Sequence, residues 1–293
     1  MRDLVTIVMP SLNQARFIAA AVHSVLSQDY QQLELIVADG CSTDGTQGWL
    51  ARQQELDGRL RWFSEPDKGP ANALNKALRM SRGTLIGWLN SDDVYAPGAV
   101  NRAVHALAGN RDWLMVYGHG EHVDEDGQAI GPYPTVRPPA PMSQFAKGCF
   151  ICQPTVFFKR SMHLLLGPLD ESLQTAFDFD YWLRVFCAFP GRVGFVDAVQ
   201  AQSRVHSNAI TLRLRRTVIL EGMQLLARHL GNAPKEWLLT YLSELLAVPG
   251  NMDNLEVHEH FRETYSIAMQ WLTEDDVRQV ESIFRSSVAR GGI

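Results

Sequence analysis

Acidic side chains recur along the first hundred residues in a pattern suited to holding one cation. Asp39 precedes Gly40, Glu65 and Asp67 flank Pro66, and Asn90-Ser91-Asp92-Asp93 closes the series. Carboxylates at the edge of a fold are costly to desolvate unless each meets a cation or a donor. A divalent ion carrying a diphosphate meets that need, because Mg2+ and Mn2+ favour carboxylate, water and phosphate oxygens. Asp93 has a second reading, as the cap of a helix starting near Pro97, since helix starts favour Asp. Asp178 opens a helical stretch with Asp180 two residues on, which suits an N-cap and a general base equally. His206, in Arg204-Val205-His206-Ser207-Asn208, is either a structural histidine or a ligand.

These groups need a scaffold, and the apolar pattern supplies one. Leu4–Met9 reads as a buried strand ended by Pro10, followed by helical spacing from Ala15 to Ser27. Leu33–Ala38, Leu60–Phe63 and Thr84–Leu89 read as further strands, with helices over Thr46–Gln54 and Pro70–Met80 between them. Alternating strands and helices of these lengths predict an α/β fold, a Rossmann-like, mostly parallel sheet flanked by helices. Such sheets bind ligands beyond the C-terminal strand ends, where the acidic clusters fall. The middle of the chain is less regular. Trp113–Tyr117 reads as a strand, Gly131–Met142 as a loop with five prolines, and Asp178–Phe189 as a helix. From about Thr211 three or four amphipathic helices follow, with breaks at Gly231-Asn232-Ala233-Pro234, at Pro249-Gly250 and at Thr273, which caps the last helix with Asp276 three residues on. The expected division is a catalytic domain over residues 1–210 and a helical extension over 211–293.

The 293 residues, 46% hydrophobic and 20% charged, suit an ordinary globular protein. A formal net charge of -5 argues against a dedicated nucleic-acid binder. Four scattered cysteines do not make a disulfide framework. The N-terminal apolar run is too short for a signal peptide, and no stretch reaches membrane-spanning length. These features predict a cytoplasmic protein. Arg213, Arg215 and Arg216 are either a solvated helix face or a contact to an anionic membrane surface or lipid diphosphate, which would place the protein peripherally at the inner face of the membrane. Cys149-Phe150-Ile151-Cys152 and His119-Gly120-Glu121-His122 are too isolated to predict a metal site and read as packed side chains.

Five blocks in order carry a resemblance: Val8-Met9-Pro10-Ser11-Leu12-Asn13, Ile36 to Thr46, Glu65-Pro66-Asp67-Lys68-Gly69 with Ala73-Leu74-Asn75-Lys76, Gly87 to Asp93, and Phe177 to Arg184. Over roughly residues 4–210 the chain resembles family 2 of the inverting nucleotide-sugar glycosyltransferases, with the GT-A fold. The resemblance implies that Pro10, Leu12 and Asn13 line the nucleotide pocket and that Asp39 accepts hydrogen bonds from base or ribose. It sets Asp67 and Lys68 beside the nucleotide, together with Asn90 and Ser91. Asp92 corresponds to the last acid of the Asp-x-Asp metal motif and would hold Mn2+ or Mg2+, with His206 near the metal or diphosphate. Asp178 corresponds to the catalytic base. A sugar would pass from a nucleotide diphosphate sugar, UDP in the first instance, to a hydroxyl of a saccharide or lipid-linked saccharide in surface polysaccharide assembly. The helical extension would serve acceptor, membrane-surface or homodimer contacts. Two departures stand out: Asn90 replaces the usual first acid of the metal motif, and Gly40-Cys41 replaces the common Asp-Gly. The first keeps open a sugar-nucleotide-binding protein without turnover.

Other nucleotide enzymes fit less well. A nucleotidyltransferase needs a glycine-rich basic loop after the first strand, where Ser11-Leu12-Asn13-Gln14-Ala15 stands. Neither Gly-x-Gly-x-x-Gly nor a P-loop is present, and no Gly-x-Ser-x-Gly elbow occurs.

Overall fold

The apolar runs of the first ninety residues become the parallel half of a nine-stranded sheet. The computed structural model describes residues 3–247 and 254–290. They fall into two compact units, one up to Ala140 together with Cys149–Ser207, the other comprising Pro141–Gly148 and the chain from Asn208 onward.

In the first unit β1 (Val5–Ser11), β2 (Leu33–Asp39), β3 (Leu60–Ser64) and β4 (Leu85–Trp88) run parallel in the order β3-β2-β1-β4. Both β1 and β2 are buried along their whole length, as strands covered on two faces must be. Helix α1 (Ile18–Leu26) buries Ile18, Ala21, Val22 and Val25 at helical spacing. Helices α2 (Thr46–Leu56) and α3 (Pro70–Met80) complete the crossovers. Pro70 opens α3 behind Gly69, the position where a missing N–H costs nothing.

The rest of the unit comprises β5 (Val94–Tyr95), α4 (Ala99–Gly109), β6 (Met115–Val123), β7 (Ala129–Pro132), β8 (Phe157–Lys159), α5 (Arg160–Leu166), α6 (Phe177–Ala188) and β9 (Val193–Arg204). The sheet continues from β4 through β8, β6 and β9 to β5, with β7 paired to β6. The parallel ladders, including β6 with β9, are all longer than the antiparallel ones, which join β4 to β8, β8 to β6, β6 to β7 and β9 to β5. The fold is thus the expected mostly parallel α/β sheet flanked by helices.

Two expectations need correction. Pro10 does not end β1, which runs on to Ser11. The Val8 carbonyl bonds to Leu89 on the β4 side, so two residues on the Pro10 nitrogen faces that same side, beyond the last β4 pair at Trp88. No ladder bond is lost there. The middle of the chain also carries more strand than its pattern announced. The twelve residues of β9 lack a clean alternation of buried and exposed positions, and the β6–β9 register shifts twice near His119.

The second unit holds α7 (Ile210–Arg213), α8 (Arg215–Leu230), α9 (Glu236–Ala247), α10 (Asn254–Ala268) and α11 (Glu274–Arg290). A side chain at Gly222 of α8 would meet the Trp237 ring at 2.3 Å, so glycine lets that indole lie against α8. The indole N–H donates to the Ala146 carbonyl of the 3-10 turn Met142–Lys147 at 2.8 Å. Thr273 caps α11 as expected, accepting from the Asp276 N–H at 3.1 Å and donating to its carboxylate at 2.7 Å. Of the basic cluster, Arg215 binds both oxygens of Glu244 and Arg216 pairs with Glu263. Those two charges are met inside the unit, and Arg213 has no ionic partner among the described residues. The break expected at Pro249-Gly250 lies outside the described residues. Among those residues no helix is long and apolar enough to cross a membrane.

Gly87 in β4 gives a test of the core. A Cβ there would stand 2.6 Å from Ile7, 2.7 Å from the Tyr95 hydroxyl and 2.8 Å from Phe157. Gly87→Ala should cost about 1–3 kcal/mol through overpacking, read as a lower urea midpoint with an unchanged m-value.

Candidate active site

The C-terminal ends of the first three strands are in register, Ser11 beside Asp39 and Asp39 beside Ser64. Asp39 is buried, and its carboxylate is met from inside the fold. The Ser42 N–H reaches Oδ2 at 3.0 Å, the Ser42 hydroxyl donates to Oδ1, and the Ser64 hydroxyl donates to Oδ2 at 2.7 Å. Two oxygens offer about four lone-pair positions, so one acceptor position remains for a ligand. The expectation that Asp39 serves a base or ribose must therefore share the group with a structural task. It fixes the Gly40–Ser42 turn.

That turn meets the end of β1. Asn13 has a left-handed φ of 53°, a conformation asparagine tolerates better than most residues. Its N–H donates to the Ser42 hydroxyl at 2.7 Å, and its side-chain oxygen accepts from the Thr43 N–H at 2.9 Å. Leu12 is 53% exposed, and its δ-carbon lies 3.5 Å from where a Gly40 side chain would begin. Asp67 lies on the same spot, its Oδ2 only 2.5 Å from that position, while its Oδ1 accepts from the Gly69 N–H at 2.8 Å. Leu12, Gly40 and Asp67 thus form one surface, an apolar side chain beside a carboxylate, with that carboxylate lying over the Gly40 backbone. Pro10 is buried within β1 behind it. Lys68 follows Asp67, exposed and with no side-chain partner among the described residues. Glu65 pairs instead with Lys76 at 3.0 Å.

At the end of β4 the chain turns through Asn90-Ser91-Asp92-Asp93. The Asn90 amide is held on both sides, its oxygen by the Trp88 indole at 3.1 Å and its nitrogen on Gln153 Oε1 at 2.9 Å. Ser91 is buried in the same turn. Asp93 is buried too, and it does not cap the next helix, whose cap is Gly98. Its Oδ1 accepts from the Arg204 N–H at 2.8 Å, which ties the turn to the end of β9. Burial and the neighbouring Asp92 charge push the Asp93 carboxyl well above the usual range. An acid in place of Asn90 would add a third carboxylate to this turn.

Asp92 is the one member of the turn facing a possible ligand partner. Its Oδ2 lies 3.0 Å from Nε2 of His206, a residue 114 positions later. The His206 ring packs on Phe17, centroids 4.9 Å apart. The carboxylate oxygen is a donor that suits Mn2+ or Mg2+, and the imidazole nitrogen is the softer and less usual ligand for either. Their separation also fits: adjacent octahedral ligands at about 2.1 Å from a metal stand about 3 Å apart. Among the described residues no third His, Cys, Asp or Glu joins them, so further ligands would come from diphosphate and water.

Asp178 stands on the second turn position of α6 behind an Ala176 cap, so it is not itself the cap. Asp180, one residue beyond Phe179, is buried and pairs with Arg184 at 2.7 Å. Burial raises the Asp178 carboxyl to about 6, against the pull of its own and the Phe179 backbone N–H groups. Its field reaches Tyr133, Cys149 and Cys152, the packed side chains that Cys149-Phe150-Ile151-Cys152 supplies. Burial holds both thiols protonated, Cys149 at about 12. Phe177 stacks on Trp88, centroids 5.6 Å apart. Since Trp88 also holds Asn90, the Asp178 helix and the Asp92 turn rest on one indole. Asn75 of α3 anchors the approach to α6, donating to the Leu169 carbonyl and to Glu171.

The sequence reading passed over Ser42, Ser64 and Gln153, the neutral partners of Asp39 and Asn90. Ser and Gln are common everywhere, and only their distance in space from a buried group marks them. His119-Gly120-Glu121-His122 makes no metal cluster, and His119 pairs with Asp197 at 3.0 Å.

Strand-end carboxylates, an Asp92–His206 pair and a raised Asp178 acid on one α/β sheet meet a matching family model, that of glycosyl transferase family 2, over residues 6–165. The chain belongs to that family. The chondroitin synthase of Escherichia coli is 31% identical over 183 residues, which cover 62% of this chain and 26% of that protein. Several curated relatives are much longer, and the match spans about a third of their length. Among solved structures, Staphylococcus aureus TarS 1-349 in complex with UDP-GlcNAc superposes with a TM-score of 0.63 at 17% identity, covering 97% of this chain and 92% of that one. The mannosyltransferase PcManGT of Pyrobaculum calidifontis, in complex with GDP-Man and Mn2+, gives 0.61 at 20% identity, covering 99% and 84%. The sheet of this family member has the GT-A fold.

The Asp178 carboxyl gives a prediction on stability. Its ordinary value is 3.8 and its folded value about 6. Between those values the unfolded chain releases a proton that the folded chain keeps, so this group lowers stability as pH rises through that window, and the loss persists above it. Asp178→Asn should therefore raise the thermal midpoint near neutral pH, with the gain shrinking as pH falls from about 6 towards 3.8 and absent below that. Calorimetric scans across pH would read it, and a lowered midpoint at neutrality would contradict it.

Proposed function

We propose that this glycosyltransferase is an inverting enzyme that moves a sugar from UDP to a hydroxyl of a saccharide or lipid-linked saccharide. Surface polysaccharide assembly is the setting we assign, in line with the chondroitin synthase relative and with the putative teichuronic acid biosynthesis glycosyltransferase of Bacillus subtilis. The TarS complex with UDP-GlcNAc supports a uridine donor. The observation that carries the reading is Asp178, an acid raised to about 6, whose helix shares the Trp88 indole with the Asp92 turn.

The Leu12, Gly40 and Asp67 surface, with Asp39 and Asn13 behind it and Lys68 beside it, receives the nucleotide. The exposed Leu12 offers an apolar contact, and the exposed Lys68 ammonium can meet phosphate. Asp92 and His206 would hold Mn2+ or Mg2+ with the diphosphate. When bound there, such an ion supplies positive charge against the charge growing on the leaving group. Asp178 accepts the proton of the acceptor hydroxyl as that oxygen bonds to the anomeric carbon. The bond from that carbon to the diphosphate breaks on the opposite face, and its electron pair leaves with UDP. Configuration inverts, and the proton remains on Asp178. A carboxyl near 6 is a stronger base than ordinary aspartate yet ionised at neutral pH.

The test combines binding and turnover. UDP with Mn2+ should raise the melting midpoint by mass action, and Asp92→Ala should remove the metal-dependent part. Asp178→Asn should keep donor binding and lose about 10²–10⁴-fold in kcat. The wild-type kcat should rise with pH through about 6, the value of the ionising base. Donor binding that ignores Mn2+, or full turnover by Asp178→Asn, would defeat the mechanism.

A further inference from the structure

Asp92 is one half-buried residue in a turn, and a ligand on a turn is only as well placed as its backbone. The group that fixes this backbone is the side chain of Arg204. Its Nε donates to the Asp92 carbonyl at 2.9 Å, and its Nη1 donates to the carbonyls of Asp124 and Glu125, each at 2.9 Å. Its own backbone N–H holds Asp93. The guanidinium lies over the Phe17 ring, 5.0 Å from its centroid, and His206 packs on that same ring. One side chain therefore ties the metal-motif turn, the turn after β6 and the start of α1 to the end of β9. Two residues on, the same strand end delivers His206 to Asp92.

The chemistry of the contact is specific to arginine. Three carbonyl oxygens from two separate turns are met by one planar fork of N–H donors, and the flat cation also stacks on an aromatic face. A lysine ammonium has the charge and three donors but neither the plane nor the spread. Carbonyl dipoles aimed at the guanidinium solvate its charge through backbone alone, so it takes up neither oxygen of the Asp92 carboxylate. No carboxylate pairs with the Arg204 guanidinium among the described residues, although it meets the backbone carbonyls of both Asp92 and Glu125.

We propose that Arg204 is a positioning residue that presets the Asp92 and His206 donors for the divalent ion of the donor site. This rests on the metal-dependent donor reading given above. Arg204 touches neither the sugar nor the reacting atoms in this proposal, so its loss should weaken metal capture and leave metal-independent nucleotide contacts in place. Removal of groups that orient metal ligands commonly costs about 10- to 100-fold in metal affinity.

The experiment is calorimetric titration of UDP into wild type, Arg204→Lys and Arg204→Ala, each without metal and over a Mn2+ series, beside a melting curve for each protein. Free Mn2+ in the same mixtures is followed by its electron spin resonance signal. The expected result is metal-free UDP affinity within about twofold of wild type, and Mn2+ affinity in the presence of UDP lower by about 10-fold or more in both variants. Arg204→Lys folding normally with wild-type Mn2+ affinity would overturn the proposal. An equal loss of UDP affinity with and without Mn2+ would overturn it as well, since that marks a general structural role, as would failure of both variants to fold. If wild type itself binds UDP without regard to Mn2+, the donor-site reading fails first, and this one with it.

Discussion

The contact between Asp92 and His206 sets the terms for the catalytic unit. The two residues lie at the ends of β4 and β9, strands separated in the sheet by β8 and β6. Bringing a loop carboxylate within 3.0 Å of an imidazole so distant in sequence requires the intervening strands to hold their register. The long parallel β6–β9 ladder does that, and its register shifts fall before the segment that leads to Arg204. The bulges change the aim of the strand end. Short β8 and short β5 then suffice, because neither has to carry a reactive group.

Buried carboxylates occur throughout this unit, and their partners separate structural ones from reactive ones. Glu34 is met by the Thr6 hydroxyl, the Arg82 guanidinium and Arg61, which hold it below the usual range despite burial. Asp180 has Arg184, and Asp39 has two serines. Asp178 has only backbone N–H groups of its own turn. With no such side-chain partner to offset it, burial leaves this carboxyl with an elevated affinity for protons. Stability is lower there than a neutral side chain would allow, the usual mark of a site shaped for chemistry rather than for folding.

The parallel half of the sheet was legible because its strands are continuous apolar runs and its helices keep strict spacing. Helix α3 matches its expected bounds, Pro70 to Met80, since proline and glycine punctuate it. The second half was harder. Strand β9 mixes Gln200, Gln202 and Ser203 with valines, because part of it is a platform for hydrogen bonds and not a core strand. Asp39, Asp92 and Asp178 were legible as candidates by residue type and by place after strands or at a helix start. Arg204 was not, although it was quoted beside His206. Nothing in one sequence tells an arginine that will gather three carbonyls from one that faces water.

Gly40 and Asp67 show how a departure in one binding loop bears on a residue in the next. The space beside the Gly40 α-carbon is already filled by the Asp67 carboxylate, and any β-carbon at position 40 would push that carboxylate off the Gly69 N–H. A longer acidic residue at 40, as many family members carry, and an aspartate at 67 in this pose therefore exclude each other. A donor-loop graft that exchanges residues 40 and 41 alone would therefore require the Asp67 carboxylate to move.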